Sequence, residues 1–257
     1  MTWIVICAVA FAASALTFFS GFGLGTLLLP AFALFYPVEV AVASTAVVHF
    51  LNGLFKLTLV GRHADRATVL RFGLPAIVAA VAGAWLLVHL ADAAPIATYS
   101  VLGIVATILP AKLAVGALLL LITTIELMPR FQSLSIPSRY VPLGGVLSGF
   151  FGGLSGMQGA LRSAFLIRLG LSKEAFIGTG VVVATLIDIS RLGVYAQDLL
   201  RERSQLDYGL LAAAVLAAFV GAFFGNQFLR KLTLRSIQLV VGTMLILVAL
   251  GLIAGLL

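Results

Sequence analysis

Asp188 and Arg191 stand three residues apart near the middle of an apolar stretch running from about 175 to 197. His49, Asn52 and Lys56 occupy another, from about 39 to 60, and their spacing of three and four residues puts all three on one helical face. A charged group at the centre of a lipid-embedded helix costs about 2.5 to 3.5 kcal/mol on insertion scales, so it marks a substrate, ion or proton site by default. Asp188 or His49 could couple transport to protons. Other readings stay open: Lys56 and Arg191 could snorkel to the interface, Asp188 could merely neutralise Arg191, and His49 could be a packing histidine. For Arg168 and Lys173, beside a loop, snorkelling is the preferred reading.

Two glycine-punctuated stretches supply the second kind of chemistry. GFGLGTLLLP begins at Gly21 and GLSGMQGALR at Gly153. Breaking a helix in lipid exposes N–H and C=O groups at several kcal/mol each unless protein, water or ligand satisfies them. The arms restarting near Gly23 to Thr26 and Gly156 to Gly159 would turn their first-turn amides and positive dipole ends toward the break, ready for an anion. Gly25, Ser20, Ser155 and Gln158 adjoin them. Arg162 falls about 9 Å along the second arm from Gly156 if that arm is helical. Gly145 and Gly149 read instead as a close-packing face.

The elements that position these residues follow from composition. Of 257 residues, 62% are hydrophobic and 10% charged, far beyond a soluble domain of this size. Hydrocarbon about 30 Å thick needs roughly 20 apolar residues per helix. Six such spans run at about 39–60, 70–91, 110–128, 175–197, 208–229 and 236–257. Shorter segments at 3–19, 26–36, 140–153 and 157–170 pair across the glycine breaks as two hairpins. Residues 95–109, bracketed by Pro95 and Pro110, read equally as an interfacial helix or a span. The net charge of +7 is scattered through short loops, which speaks for membrane topology and against nucleic acid. The single Cys7 excludes an internal disulfide and a multi-cysteine metal site, and no metal or cofactor motif is present. The N-terminal stretch lacks a basic n-region and reads as the first helix, not a signal.

The halves correspond. Gly25 and Gly159, Ala41 and Ala175, and Thr45 and Thr179 are each 134 positions apart, and Ala82-Gly83-Ala84 matches Val220-Gly221-Ala222 at 138. Thr45 and Thr179 therefore read as symmetric site-lining residues. Residues 1–128 form a first membrane repeat, 129–139 a connecting loop and 140–257 a second repeat, together one transport domain. Cytoplasmic loops collect Lys and Arg. Arg62, Arg66 and Arg71 then face inward, with Arg130, Arg139, Lys173 and the group Arg230, Lys231 and Arg235. The loop 198–207, with Arg201 and Arg203 against Asp198, Glu202 and Asp207, lies opposite. Equivalent loops fall on opposite sides, so the repeats are inverted and both termini extracytoplasmic. The expected fold class is an all-α polytopic membrane protein of two inverted repeats, each a Gly-broken short-helix hairpin plus about three transmembrane helices, with roughly eight to ten hydrophobic segments.

The stretches GFGLGTLLLPAFALF, LPAKLAVGALLLL and LSGFFGGLSGMQGALRSAFLIRLGLSKEAFIGTG resemble the TauE/SafE family of sulfite exporters over nearly the whole chain. The resemblance implies a multi-pass carrier of the cell inner membrane moving sulfite, sulfoacetate, thiosulfate or related organosulfur anions. Its glycine signature maps to Gly21, Gly23, Gly25 and Pro30, and again to Gly153, Gly156 and Gly159. Leu24 interrupts what is commonly a run of adjacent glycines, and Ala164 stands at the position matching Pro30.

The reading is a secondary anion transporter working by alternating access. Substrate would be bound by Gly23, Gly25, Thr26, Thr45, His49, Asn52, Lys56, Ser155, Gly156, Gln158, Gly159, Arg162, Thr179, Asp188 and Arg191. Its partners are the anion, the bilayer and protons as a coupling ion, and the glycine faces would also suit a homodimer. An anion channel and a non-transporting scaffold are the alternatives. Gly153-Leu154-Ser155-Gly156 resembles a rhomboid-type protease motif, but His49, His63 and His89 all precede Ser155, the wrong order for that enzyme.

Overall fold

The computed structural model describes residues 1–16, 24–101, 103–128, 136–167, 169–201, 207–228 and 234–257. The chain is an all-α polytopic membrane protein with one small β-hairpin. Two short helices, α1 (Thr2–Leu16) and α2 (Leu24–Ala33), open it, followed by α3 (Val38–Val60), a 3-10 turn, α4 (Arg66–Ala91), strands β1 (Ala97–Val101) and β2 (Ile104–Ile108), and α5 (Pro110–Leu127). The second half repeats the order without the strands: α6 (Val141–Ser155), α7 (Gly159–Leu166), α8 (Lys173–Arg201), α9 (Tyr208–Phe228) and α10 (Leu234–Ile253).

Among the described residues five helices are long and apolar enough to cross a membrane: α3 with its 3-10 extension, α4, α5, α8 to Ala196 and α9 to Gly225. The sixth expected span is helical as α10. Large hydrophobics such as Val78, Leu70, Leu216 and Leu247 face outward, as lipid solvent permits. The short arms are too short to span alone. At 1.5 Å per residue α6 extends about 22 Å and α7 about 12 Å, against hydrocarbon of about 30 Å.

Residues 95–109 differ from both expectations. They form an antiparallel hairpin in register Ala97 to Ile108 through Val101 to Ile104. β-Branched residues dominate ATYSV and IVATI, Pro95 and Pro110 block helical continuation at either end, and Gly103 at φ +81° supplies the left-handed turn. The Thr107 N–H donates to Gly255 O at 3.1 Å and the Tyr99 hydroxyl to Ala254 O at 2.6 Å, so the hairpin lies against the end of α10.

Packing between the halves is reciprocal. α6 packs on α4, α1 packs on α9, α3 packs on both α8 and α9, and α4 also packs on α8. Both first-arm contacts are made of glycine against carbonyl. Cβ atoms at Gly145, Gly149 and Gly153 would collide with the Phe72, Ala76 and Ala80 carbonyls of α4; Cβ atoms at Gly221 and Gly225 would collide with the Phe11 and Ala15 carbonyls of α1. Such small-residue faces let helix backbones meet where lipid offers no hydrophobic drive between helices.

The topology residues Arg130, Glu202, Arg203, Arg230 and Lys231, and most of the connecting loop, lie outside the described residues, as do Arg168 and the side chains of Asp198, Arg201 and Arg235.

Candidate functional site

The second helix break is resolved in atomic detail. α6 ends on Gly156, whose φ of +79° and ψ of 0° form a left-handed C-cap, with its N–H bonded to Gly152 O at 2.8 Å. Met157 and Gln158 carry the chain into α7, which begins at Gly159. The stretch expected to hold the first break, with Gly21, Gly23 and Ser20, lies outside the described residues. Its exit is described: α2 starts at Leu24 with Gly25 and Thr26 buried. A Cβ on Gly25 would stand 2.7 Å from Gly156 O, so the start of α2 abuts the second break. The α2 entry and the α6–α7 break meet in the interior.

Around this meeting point the ionisable side chains form one network. The Asp188 carboxylate has zero exposure. Its Oδ1 accepts from Arg191 Nε at 3.0 Å and from Gln158 Nε2 at 3.3 Å, and its Oδ2 lies 2.5 Å from His49 Nδ1. Arg191 Nη2 is 2.8 Å from the same Oδ1, an ion pair not aligned as a hydrogen bond, and Nη1 donates to Gly152 O at 3.4 Å. Gln158 extends the chain because its Oε1 accepts from Arg162 Nη1 at 3.2 Å. The result is a continuous run from Arg162 through Gln158 and Asp188 to His49, with Arg191 alongside. Lys56 is buried on α3, about two turns along from His49, and Arg162 is close enough to act on it electrostatically. Arg162 and Lys56 thus bring like charges from α7 and α3 near each other.

Arg191 pairs with the Asp188 carboxylate, Arg162 reaches it through Gln158, and Lys56 is buried within electrostatic reach of Arg162. Buried charge is tolerated only when paired and hydrogen-bonded. Cations drawn from α3, α7 and α8 beside one helix break suit an anion. Lys56 and Arg191 are buried in protein, which removes the snorkelling alternative for both.

Other expected residues turn out to serve the framework. Thr179 is not symmetric with Thr45 in its use: it accepts from the Asp65 N–H at 2.9 Å, fastening α8 to the α3–α4 turn. Thr45 is fully buried, with a hydroxyl that has no hydrogen-bond partner among the described residues. The Ser155 hydroxyl bonds back to Phe151 O at 2.9 Å, so it caps its own helix rather than lining the break. Asn52 accepts from the Ser14 hydroxyl at 3.2 Å, tying α1 to α3. Gly156 gives room to Arg191, whose Nη1 would lie 2.8 Å from a Cβ there.

Two framework residues escape sequence reasoning. Tyr195 donates to Gly153 O, one residue from the carbonyl that Arg191 caps. Its place four residues beyond Arg191, on the same helical face, was the available signal. Ser148 donates to Gln158 O at 3.0 Å, holding α7 against α6. Ser148 stands 134 positions after Ser14, and the repeat offset marks both.

A family model described as Sulfite exporter TauE/SafE matches residues 6–252. No curated protein and no solved structure matches the chain.

Proposed function

Because the chain belongs to the Sulfite exporter TauE/SafE family and is thus a membrane transporter of the sulfite-exporter type, we propose that it carries a small organosulfur anion through the break region by alternating access. The reading rests on one observation: where the start of α2 meets the α6–α7 break, Arg191 pairs with Asp188, Arg162 reaches the same carboxylate through Gln158, and Lys56 is buried within electrostatic reach of Arg162. Arg162 is the most available anion ligand, since it is half-buried and its described hydrogen bond goes to a neutral amide. Lys56 would add charge from the first half, and the first-turn amides of α2 and α7 would add neutral donors. Arg191 would orient Asp188 and the α6 carbonyls while supplying field. Sulfite, sulfoacetate and related anions match this mixture of cations and amides. The repeats would lie in opposite senses across the cell inner membrane, with both termini extracytoplasmic. Charge bias of the loops supports that orientation, and so does the reciprocal packing.

The test is uptake of labelled sulfite and C2 sulfonates into proteoliposomes. Uptake above protein-free vesicles for at least one anion, saturable and reduced by Arg162→Ala, is the expected result. Rates equal to protein-free vesicles for all of them would sink the assignment.

A further inference from the structure

We propose that each anion crosses together with one proton: Asp188 is the resident anion of the empty site, and His49 is the side chain through which its proton arrives and departs. The proposal rests on the anion-carrier reading above and adds the coupling chemistry.

The two oxygens of Asp188 are unequally placed. Oδ1 is surrounded by Arg191 Nε, Arg191 Nη2 and Gln158 Nε2, whereas Oδ2 has His49 Nδ1 at 2.5 Å. The carboxylate has no exposure and the His49 side chain 14%, so the imidazole connects a sealed carboxylate to a more accessible edge. The groups facing this pair are Arg191 and Tyr195 from α8 and Arg162 from α7 through Gln158, with Lys56 of α3 next beyond Arg162. Neither α2 nor α6 carries a titratable side chain. α1 carries Cys7 near its middle, and the other packed helices carry theirs toward their ends: Arg66, Arg71 and His89 on α4, Lys112 and Glu126 on α5, and Tyr208 on α9.

A sulfonate or sulfite oxygen accepts from a guanidinium in the same way as a carboxylate oxygen. An anion that takes Arg191 donors therefore competes directly with Asp188, and one that takes Arg162 draws it from the Gln158 amide that links it to Asp188. Two anions held together away from water cannot both stay ionised cheaply, and the removable charge is that of the carboxylate. The exchange balances with one proton. A proton from the aqueous side joins His49 Nε2, the Nδ1 proton crosses to Asp188 Oδ2, and the carboxyl releases the guanidinium to the incoming anion. Release reverses each transfer. By linkage, protonation raises anion affinity by the factor by which the anion raises proton affinity, so the two move in the same direction.

The experiment uses full-length protein in proteoliposomes with the membrane potential held at zero. Labelled isethionate and thiosulfate are the probes, because both are anions of strong acids and carry no proton of their own near neutral pH. With the exterior one pH unit more acidic, one proton per anion gives about tenfold accumulation of the monoanion isethionate, and entry turns a weakly buffered exterior alkaline. Asp188→Asn lowers the accumulation ratio to about one at whatever rate it exchanges label. His49→Gln does the same while keeping the carboxylate, and serves if the Asn variant does not fold. Wild-type protein that exchanges either probe yet accumulates neither under the gradient overturns the proposal, as does a variant that still accumulates about tenfold. A wild type that exchanges neither probe nor sulfite fails the anion-carrier reading itself, and this inference with it.

Discussion

The two long helices that flank the breaks, α3 and α8, occupy matching places in the repeat and spend their polar residues differently. α8 grips its own half's first arm with strong donors: Arg191 on Gly152 O and Tyr195 on Gly153 O, with Asp188 neutralising the arginine. Among the described residues, α3 meets its first arm through the neutral bond from Ser14 to Asn52, and places Lys56 in the interior with His49 beside Asp188. Helices at matching places in the two halves thus divide the labour. α8 supplies a charged framework, and α3 supplies the His49 edge and the buried Lys56. Once one copy secures the geometry, the other can carry chemistry on the same backbone.

The sharpest way to break this comparison is at the glycine faces. Gly153→Val and Gly221→Val each press a side chain into a carbonyl of the opposite half, and overpacking costs about 1–3 kcal/mol or more. Both should abolish a monodisperse peak in size-exclusion chromatography; tolerance of one alone would show that the two faces are not equivalent. Next, Arg191→Ala leaves Asp188 buried beside His49 and Gln158 without its guanidinium, and should destabilise by about 3–5 kcal/mol. Asn52→Ala, its nearest counterpart on α3, removes one neutral bond and should cost about 1 kcal/mol. Thermal midpoints in one detergent compare the two; equal losses would erase the proposed division. Arg162→Ala should weaken anion binding by about tenfold, in line with one lost charge-assisted bond, with a midpoint close to wild type. The smallest effect is at the α4 cap. Hydrogen bonding from Thr68, side chain before backbone, holds the Asp65 carboxyl below the usual carboxylate range. Its folded-state value is depressed, so its stabilisation is present above the unfolded value and fades as pH falls through the folded one. Asp65→Ala should cost about 1 kcal/mol near neutral pH and flatten the acid limb of midpoint against pH.

Much of this arrangement is legible from residue types. Polar groups in apolar stretches are costly enough to single out Asp188, Arg191, Lys56 and His49 without coordinates, and the second glycine run locates the break between α6 and α7. The α6–α7 break falls at Gly156 to Gln158 as expected. What the sequence conceals is partnership. Thr179 reads as a twin of Thr45, but its acceptor role depends on the Asp65 amide, brought near only when the α3–α4 turn returns to α8. Ser155 offers a hydroxyl to whatever is nearest, and the nearest acceptor is its own helix. Gln158 shows no sign in one dimension that its two ends join Arg162 to Asp188. The β-hairpin is hidden because a uniformly apolar segment has no contrast from which to read a period of two or 3.6.

The reciprocal packing of α1 on α9 and α6 on α4 works like a pair of clasped hands. Each half holds the entry arm of the other, so tilting either one drags the opposite break along with it. In the carrier proposed above, opening toward one side of the bilayer and closing toward the other would then be a single stroke of one linkage rather than two gates needing separate timing.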